Sequence, residues 1–524
     1  MQSERCVNVV GAGLAGLSAA VTLAERGVRC NLISSQPSDR AQSVLAEGGI
    51  NAALDTMGEN DSPAEHLADT LRGGCYLETE SAVKNLTDHA PGIVERFVLL
   101  GAPLAKRDGK LLLRNFGGQK KKRTAYAGTG TGRVLMAALI DEARKYEAAG
   151  LIRRWDRHTL TALTTENGAL RAAEVLDSYT GEALRFTGKT ILCTGGPGGF
   201  FPGMTTGSAA NTGDAGAAAF AAGAEFANLE MIQYHPTTVS VPGKRMLVSE
   251  AARGEGGRLF IQKDGKPFYF MEEAYPEYGN LAPRDVISRE IFLRMRQSPG
   301  AAVFLDMTVL GEEVWREKLG GLRNELISYL GTDPKTEPVA VAPGIHYFMG
   351  GLRVTDSHET SVRGLFAAGE AACRYHGANR LGGNSMLGAI WGGSVAAQSA
   401  AAAAEPAQVE PLGVFPSEEA APRLRQELKN VLLSGLGIVR DGASLSAALG
   451  ALDAIAAQAA NETDRRRLAF GRAMLESALI REESRGAHCR ADFPETEEAF
   501  RRQTVAAFTE GEVRVTLGPK LKGA

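Results

Sequence analysis

Residues 7–10 form a short apolar run, residues 14–26 carry a helical apolar pattern, and residues 29–33 form a second apolar run. Between the first run and the helix lies Gly11-Ala-Gly-Leu-Ala-Gly16. That order predicts a strand, a glycine turn, a helix and a second strand. Glycine here permits a tight turn and lets a pyrophosphate approach the helix N-terminus, where unpaired N–H groups and the helix dipole favour anions. A dinucleotide site is therefore expected at the start of the chain. The second strand ends in Ser34-Ser35, with no acid to hold a ribose. Ser34 is left as a hydrogen-bonding group there, which weakens an NAD reading but not a nucleotide reading.

Farther along, helical patterns are expected over residues 63–73, 80–100 and 132–149. Residues 159–165, 169–177 and 183–187 read as a β meander, ending in a strand over 190–193 and the turn Thr194-Gly-Gly-Pro-Gly198. Asn211-Thr-Gly-Asp214 opens an Ala-rich helix, with Asp214 in its first turn. From His235 to about Gly351 the composition changes, which suggests an inserted domain. Residues 364–370 again read as strand and turn of the nucleotide domain, making that domain discontinuous. The expected units are 1–234 and 352–404 for nucleotide binding, 235–351 as the insertion, and 405–524 as a helical domain with helices over 420–433 and 444–481.

Composition changes this picture little. With 524 residues, 44% hydrophobic and 23% charged, the chain suits a multi-domain globular protein. A net charge of -3 gives no sign of a nucleic-acid partner. The six cysteines contain no CxxC pair, which argues against a zinc or iron–sulfur site in this chain and suits a reducing compartment. Residues 388–404 are apolar but Ala- and Gly-rich, and read as a buried helix and not a membrane span. No signal-peptide pattern opens the chain, so a cytoplasmic location is expected. The stretch Leu247-Val-Ser-Glu-Ala-Ala-Arg-Gly-Glu-Gly-Gly-Arg258, with Pro283-Arg284-Asp285, concentrates charge beside glycine and is the candidate chemical centre.

GAGLAGL, AEGGINAAL, FGGQKKKRTAYAGTGTG, CTGGPGG, QYHPT, SEAARGEGGR, GIHYFMGGL, LFAAGE, HGANRLGGNSMLGAI and ESRGAHCRADFP occur in order. Together they make the chain resemble the flavoprotein subunit of succinate dehydrogenase/fumarate reductase, especially the Bacillus type. The resemblance implies an α/β FAD-binding domain (Rossmann-like, glutathione-reductase-type), an inserted α+β capping domain and a C-terminal helical domain. It implies FAD contacts at Gly11, Gly13, Leu14, Ala15, Gly16, Ser34, Ser43, Glu47, Gly48, Gly49, Gly195, Asn211, Asp214, Glu370, Arg380, Ser385 and Leu387. It further implies that His235 and Ser249 hold one carboxylate of a C4 dicarboxylate, that His346 and Arg380 hold the other, and that Phe116 lines the site. Arg284 would exchange the proton at substrate carbon, with Glu250 and Arg253 as its relay, while hydride passes between flavin N5 and substrate. An iron–sulfur protein or a soluble electron donor would complete the chain of electron transport, as in anaerobic respiration. A partner subunit could bring the protein to the inner face of the cell membrane.

One departure and several rivals follow. Family members of the membrane complexes carry a histidine bonded covalently to FAD, and Gln42 stands at that position here. Non-covalent FAD is expected, with a lean towards fumarate reduction. L-aspartate oxidase shares the fold and the arginines, but bears an acid where this chain has Phe116. A reductase of another α,β-unsaturated acid and a non-catalytic electron-relay flavoprotein are the remaining alternatives.

Overall fold

The computed structural model describes residues 5–297, 300–416 and 419–521. Its centre is a five-stranded parallel sheet in the order Leu365–Ala367, Thr190–Leu192, Cys6–Val10, Arg29–Ser34, Ile152–Asp156. Strand periodicity sends alternate side chains to opposite faces. Val7, Val9, Leu32 and Ile191 enter one hydrophobic cluster, with the helices Leu14–Glu25, Thr131–Ala148 and Asn384–Ala402. Val10, Ile33 and Leu192 enter a second cluster, shared with the meander and the C-terminal helices. Burial on both faces explains why these strands read as continuous apolar runs.

The meander forms from His158–Glu166, Ala169–Asp177 and Glu182–Thr187. A fourth strand, Val409–Val414, joins its edge from far along the chain. A separate six-stranded antiparallel sheet has the order Lys244–Leu247, Ile232–Val241, Val339–Phe348, Val303–Asp306, Arg258–Lys263, Lys266–Phe268. The paired strands Ile232–Val241 and Val339–Phe348 begin and end the block expected as an insertion. Pro236 lies within Ile232–Val241 and has no N–H for the ladder, and the pairing register slips between His235 and Thr238.

The C-terminal region departs from a purely helical reading. Helices Pro422–Gly435, Gly442–Ala456 and Glu462–Ile480 are present, so the segment expected as one long helix over 444–481 is two. The break is built by Asn461, whose side chain accepts from the Asp464 amide at 2.8 Å. Beyond them, Arg502–Thr509 and Glu512–Lys520 form a hairpin that pairs with Phe226–Ala227. Glu510 and Gly511 both have positive φ, which a two-residue hairpin turn requires. Among the described residues, no helix is long and apolar enough to cross a membrane.

Candidate active site

One large cleft runs from the glycine turn to the six-stranded sheet. At its first end, Gly11 has φ +106°, and a Cβ there would lie 2.2 Å from the Cys193 carbonyl oxygen. Gly13 precedes the helix Leu14–Glu25 and offers no capping side chain, while Ser43 Oγ accepts the Leu14 N–H at 3.1 Å. Gly11, Gly13, Leu14, Ala15, Ser34, Ser43, Glu47, Gly48, Gly49, Gly195, Asn211, Glu370 and Ser385 all line the cleft, and Gly16 packs directly behind, with Gly11 O 1.7 Å from its would-be Cβ. Gly11→Ala combines left-handed strain of about 1–2 kcal/mol with that overlap. It is expected to yield protein lacking bound flavin, checked by the flavin-to-protein absorbance ratio.

Besides Gly16, two expected cofactor contacts, Asp214 and Leu387, do not line the cleft. Asp214 is tied to the Arg467 guanidinium, because the C-terminal helix brings that cation against the helix start. Leu387 faces the hydrophobic core and is fully buried there. No acid joins Ser34 at the cleft wall: Ser34 Oγ donates to Gln36 O at 2.7 Å and lies 3.2 Å from Asp156 Oδ1, its register partner, which stands outside the cleft. Only pairing of distant strands reveals Asp156.

The other end of the cleft is cationic. Ser249 caps the short helix Glu250–Gly254, and Pro283 starts the helix Arg284–Arg296. Arg284 donates through Nε and Nη2 to Glu250 Oε2 at 2.9 and 2.6 Å, and through Nη1 to Gln233 Oε1 at 3.1 Å. Glu250 Oε1 accepts the Gly117 amide at 2.8 Å. Arg253 lies behind, with Nη2 3.8 Å from Glu250 Oε1 and Nη1 donating to Asn280 O at 2.6 Å. Burial alone would raise the Glu250 carboxyl, yet Arg284 and Arg253 hold it below its ordinary value. Burial brings Arg253 down to about 10, and burial followed by the nearby Arg284 brings Arg380 down to about 9.

Arg380 stacks over the Tyr347 ring at 4.2 Å, and its Nε has no hydrogen-bond partner. The His235 and His346 rings lie 5.1 Å apart. Burial and then Arg284 hold both imidazoles well below the usual histidine range, so both are neutral. His235, Ser249, Glu250, Arg284, His346, Arg380 and Phe116 share the cleft wall, and Arg253 alone of this group stands back from it. Three guanidiniums thus face one ionised carboxylate, an excess of positive charge that suits a dianionic ligand. Gln233 and Tyr347 were not singled out from the sequence, although both sit in the QYHPT and HYFMGG stretches. Only contact geometry shows that they hold the two arginines.

Known proteins place this arrangement. A family model described as FAD binding domain matches residues 7–386, and one described as fumarate reductase flavoprotein C-term matches residues 425–520. The chain belongs to the succinate dehydrogenase/fumarate reductase flavoprotein family. The succinate dehydrogenase flavoprotein subunit of Bacillus subtilis is 43% identical over 403 residues, covering 75% of this chain and 68% of that protein. The L-aspartate oxidase of Streptomyces coelicolor is 35% identical, covering 95% and 90%. A variant of E. coli quinol fumarate reductase FrdA superposes with a TM-score of 0.87 at 27% identity, covering 100% of this chain and 98% of that one.

As a member of this flavoprotein family the chain is an oxidoreductase that binds FAD. The cleft fits that cofactor: its glycine walls leave no room for Cβ atoms at Gly11 or Gly49, and the N-terminus of the helix Leu14–Glu25, where Gly13 brings no side chain of its own, lies at one end. Glu370 Oε1 accepts the Phe348 amide at 3.0 Å, and burial pushes its carboxyl up to about 7. Burial pushes Glu47 up to about 8, leaving a neutral acid beside Ser249. Gln42 also lines the cleft, where its Oε1 accepts the Ser208 amide.

Proposed function

We propose that this flavoprotein reduces fumarate, or a closely related C4 unsaturated diacid, with FAD held non-covalently. The observation that carries the reading is Arg284, fixed by three hydrogen bonds at the same cleft wall as Arg380, His235, Ser249 and His346. Bound FAD would supply the electron pair. Fumarate carries carboxylates at both ends, so donors at His235 and Ser249 and at His346 and Arg380 would hold it across the cleft. Arg380, stacked on Tyr347, would stabilise the negative charge that builds on its carboxylate during reduction. Arg284 would give its proton to substrate carbon. Arginine is a weak acid, but the carbanion-like acceptor is strongly basic, and Glu250 and Arg253 stand ready to return the proton. Gly11, Gly13, Ser43, Gly195, Asn211, Glu370 and Ser385 would hold FAD. Residues 1–234 with 352–404 would act as the FAD-binding body, 235–351 as the cap, and 405–524 as the C-terminal unit.

Gln42 supports the non-covalent state, since a carboxamide cannot form a histidyl–flavin bond. Acid precipitation is expected to release the yellow chromophore into the supernatant; colour retained in the pellet would refute it. In this family the covalent bond favours succinate oxidation, so its absence supports the reductive direction. An iron–sulfur protein is the proposed electron donor, in line with the relatives being named as subunits.

L-aspartate oxidation is disfavoured by the charges of the cleft. An ammonium substrate needs a free carboxylate. Glu250 is taken by Arg284 and the Gly117 amide, Glu370 accepts the Phe348 amide, and Glu47 is neutral below about pH 8. Hydrogen peroxide released rapidly from L-aspartate under air would favour the oxidase instead.

A further inference from the structure

Thr206 has no part in the scheme above, yet it touches one of its central groups. It lies on the loop 204–208, which is tied to the strand Val339–Phe348 on one side: Thr206 N–H donates to Ile345 O, and Ile345 N–H to Met204 O, both at 2.9 Å. On the other side the Ser208 amide donates to Gln42 Oε1. Held between these anchors, Thr206 is 7% exposed, and its Oγ1 stands 2.8 Å from His346 Nδ1. Thr206, Gln42, His346 and Arg380 all line the same cleft.

A neutral imidazole carries one N–H, and a carboxylate can only accept. His346 can therefore serve a carboxylate only with its proton on Nε2, which leaves Nδ1 as an acceptor needing a donor. A hydroxyl at Nδ1 meets that need and, by donating there, strengthens Nε2–H as a donor. We propose that Thr206 is a positioning residue that fixes His346 in the tautomer presenting Nε2–H to a substrate carboxylate. The inference rests on the reading of His346 as a carboxylate donor.

Thr206→Val removes the hydroxyl and keeps the branched shape, while Thr206→Ser keeps the hydroxyl. In the FAD-loaded protein, Thr206→Val is expected to raise both the KM for fumarate and the Kd for malonate about ten-fold, leaving kcat much less changed, the size of a weakened hydrogen bond to a charged group. Malonate binding is read from the flavin absorbance change without turnover. Thr206→Ser is expected to restore both constants. Should valine prevent folding, Gln42→Ala frees the same loop from its other end and is expected to shift both constants in the same direction. The proposal is overturned if Thr206→Val matches the unaltered protein, or if serine is as impaired as valine, which would make the contact one of packing. His346→Ala separates the two levels: unchanged constants in that variant would sink the carboxylate-donor reading itself.

Discussion

Arg284→Ala is expected to lower fumarate reduction by about 10²- to 10⁴-fold, the range for loss of a positioned proton donor, with FAD still bound. Three hydrogen bonds hold the guanidinium, two to Glu250 and one to Gln233, and no surrounding cation is shown making the same contacts. Arg380 is turned onto Tyr347, and Arg253 is separated from the cleft by Glu250. Lysine should recover little, because a single ammonium cannot reproduce a planar fork engaged on two sides. Flavin retention separates a chemical defect from a cofactor defect, since the residues around the glycine turn lie at the opposite end of the cleft. Steady-state turnover with reduced viologen and the flavin absorbance of the same preparation check this. A loss of only a few-fold would remove Arg284 from the proton-transfer role.

Glu230→Ala is expected to destabilise the fold by about 3–5 kcal/mol, the usual cost of stranding one partner of a buried ion pair. The side chains of Glu230, Arg481 and Glu483 have no exposure at all. Arg481 donates to Glu230 at 2.7 Å, to Glu483 at 2.9 Å, and to the carbonyls of Phe500 and Arg502 at 2.8 and 2.7 Å. Glu230 also accepts from Thr504 Oγ1 at 2.7 Å. Removing the carboxylate leaves Arg481 with Glu483 alone, and Glu483 is already shared with Arg485. Glu230→Gln keeps one oxygen to accept from Arg481 and turns its NH2 to Thr504 Oγ1, which can accept in turn, so it should cost less. The denaturant midpoint followed by circular dichroism reads the difference. Equal midpoints for Glu230→Ala and the unaltered protein would mean that this cluster does not hold the C-terminal unit in place.

Features whose physics is local could be read from the sequence. The glycine turn, its flanking strands and helix, and the meander strands announce themselves within windows of about ten residues. What escaped depends on distant pairing. Asp156 reaches Ser34 only because two strands far apart in sequence lie side by side. Val409–Val414 is mostly exposed and is broken by Pro411 and Gly413, so its strand signal is weak, and only the meander edge makes it a strand. The hairpin at 502–520 does alternate, but it follows three helices that invite a helical reading of the whole tail. At the site, charged residues beside glycine drew notice from the sequence. Gln233, Tyr347 and Thr206, which hold those residues, are chemically ordinary until their neighbours are known. Asp214 is legible as a helix-start acid, but its ion pair with Arg467 is seen only in the fold.

Reduction of a C4 unsaturated diacid at the cationic end of the cleft can be followed directly. Its most direct test is anaerobic mixing of the FAD-loaded protein with reduced benzyl viologen and fumarate. Viologen oxidation that requires fumarate and yields succinate is the expected result. Viologen oxidation indifferent to fumarate, in protein that has kept its flavin, would contradict it.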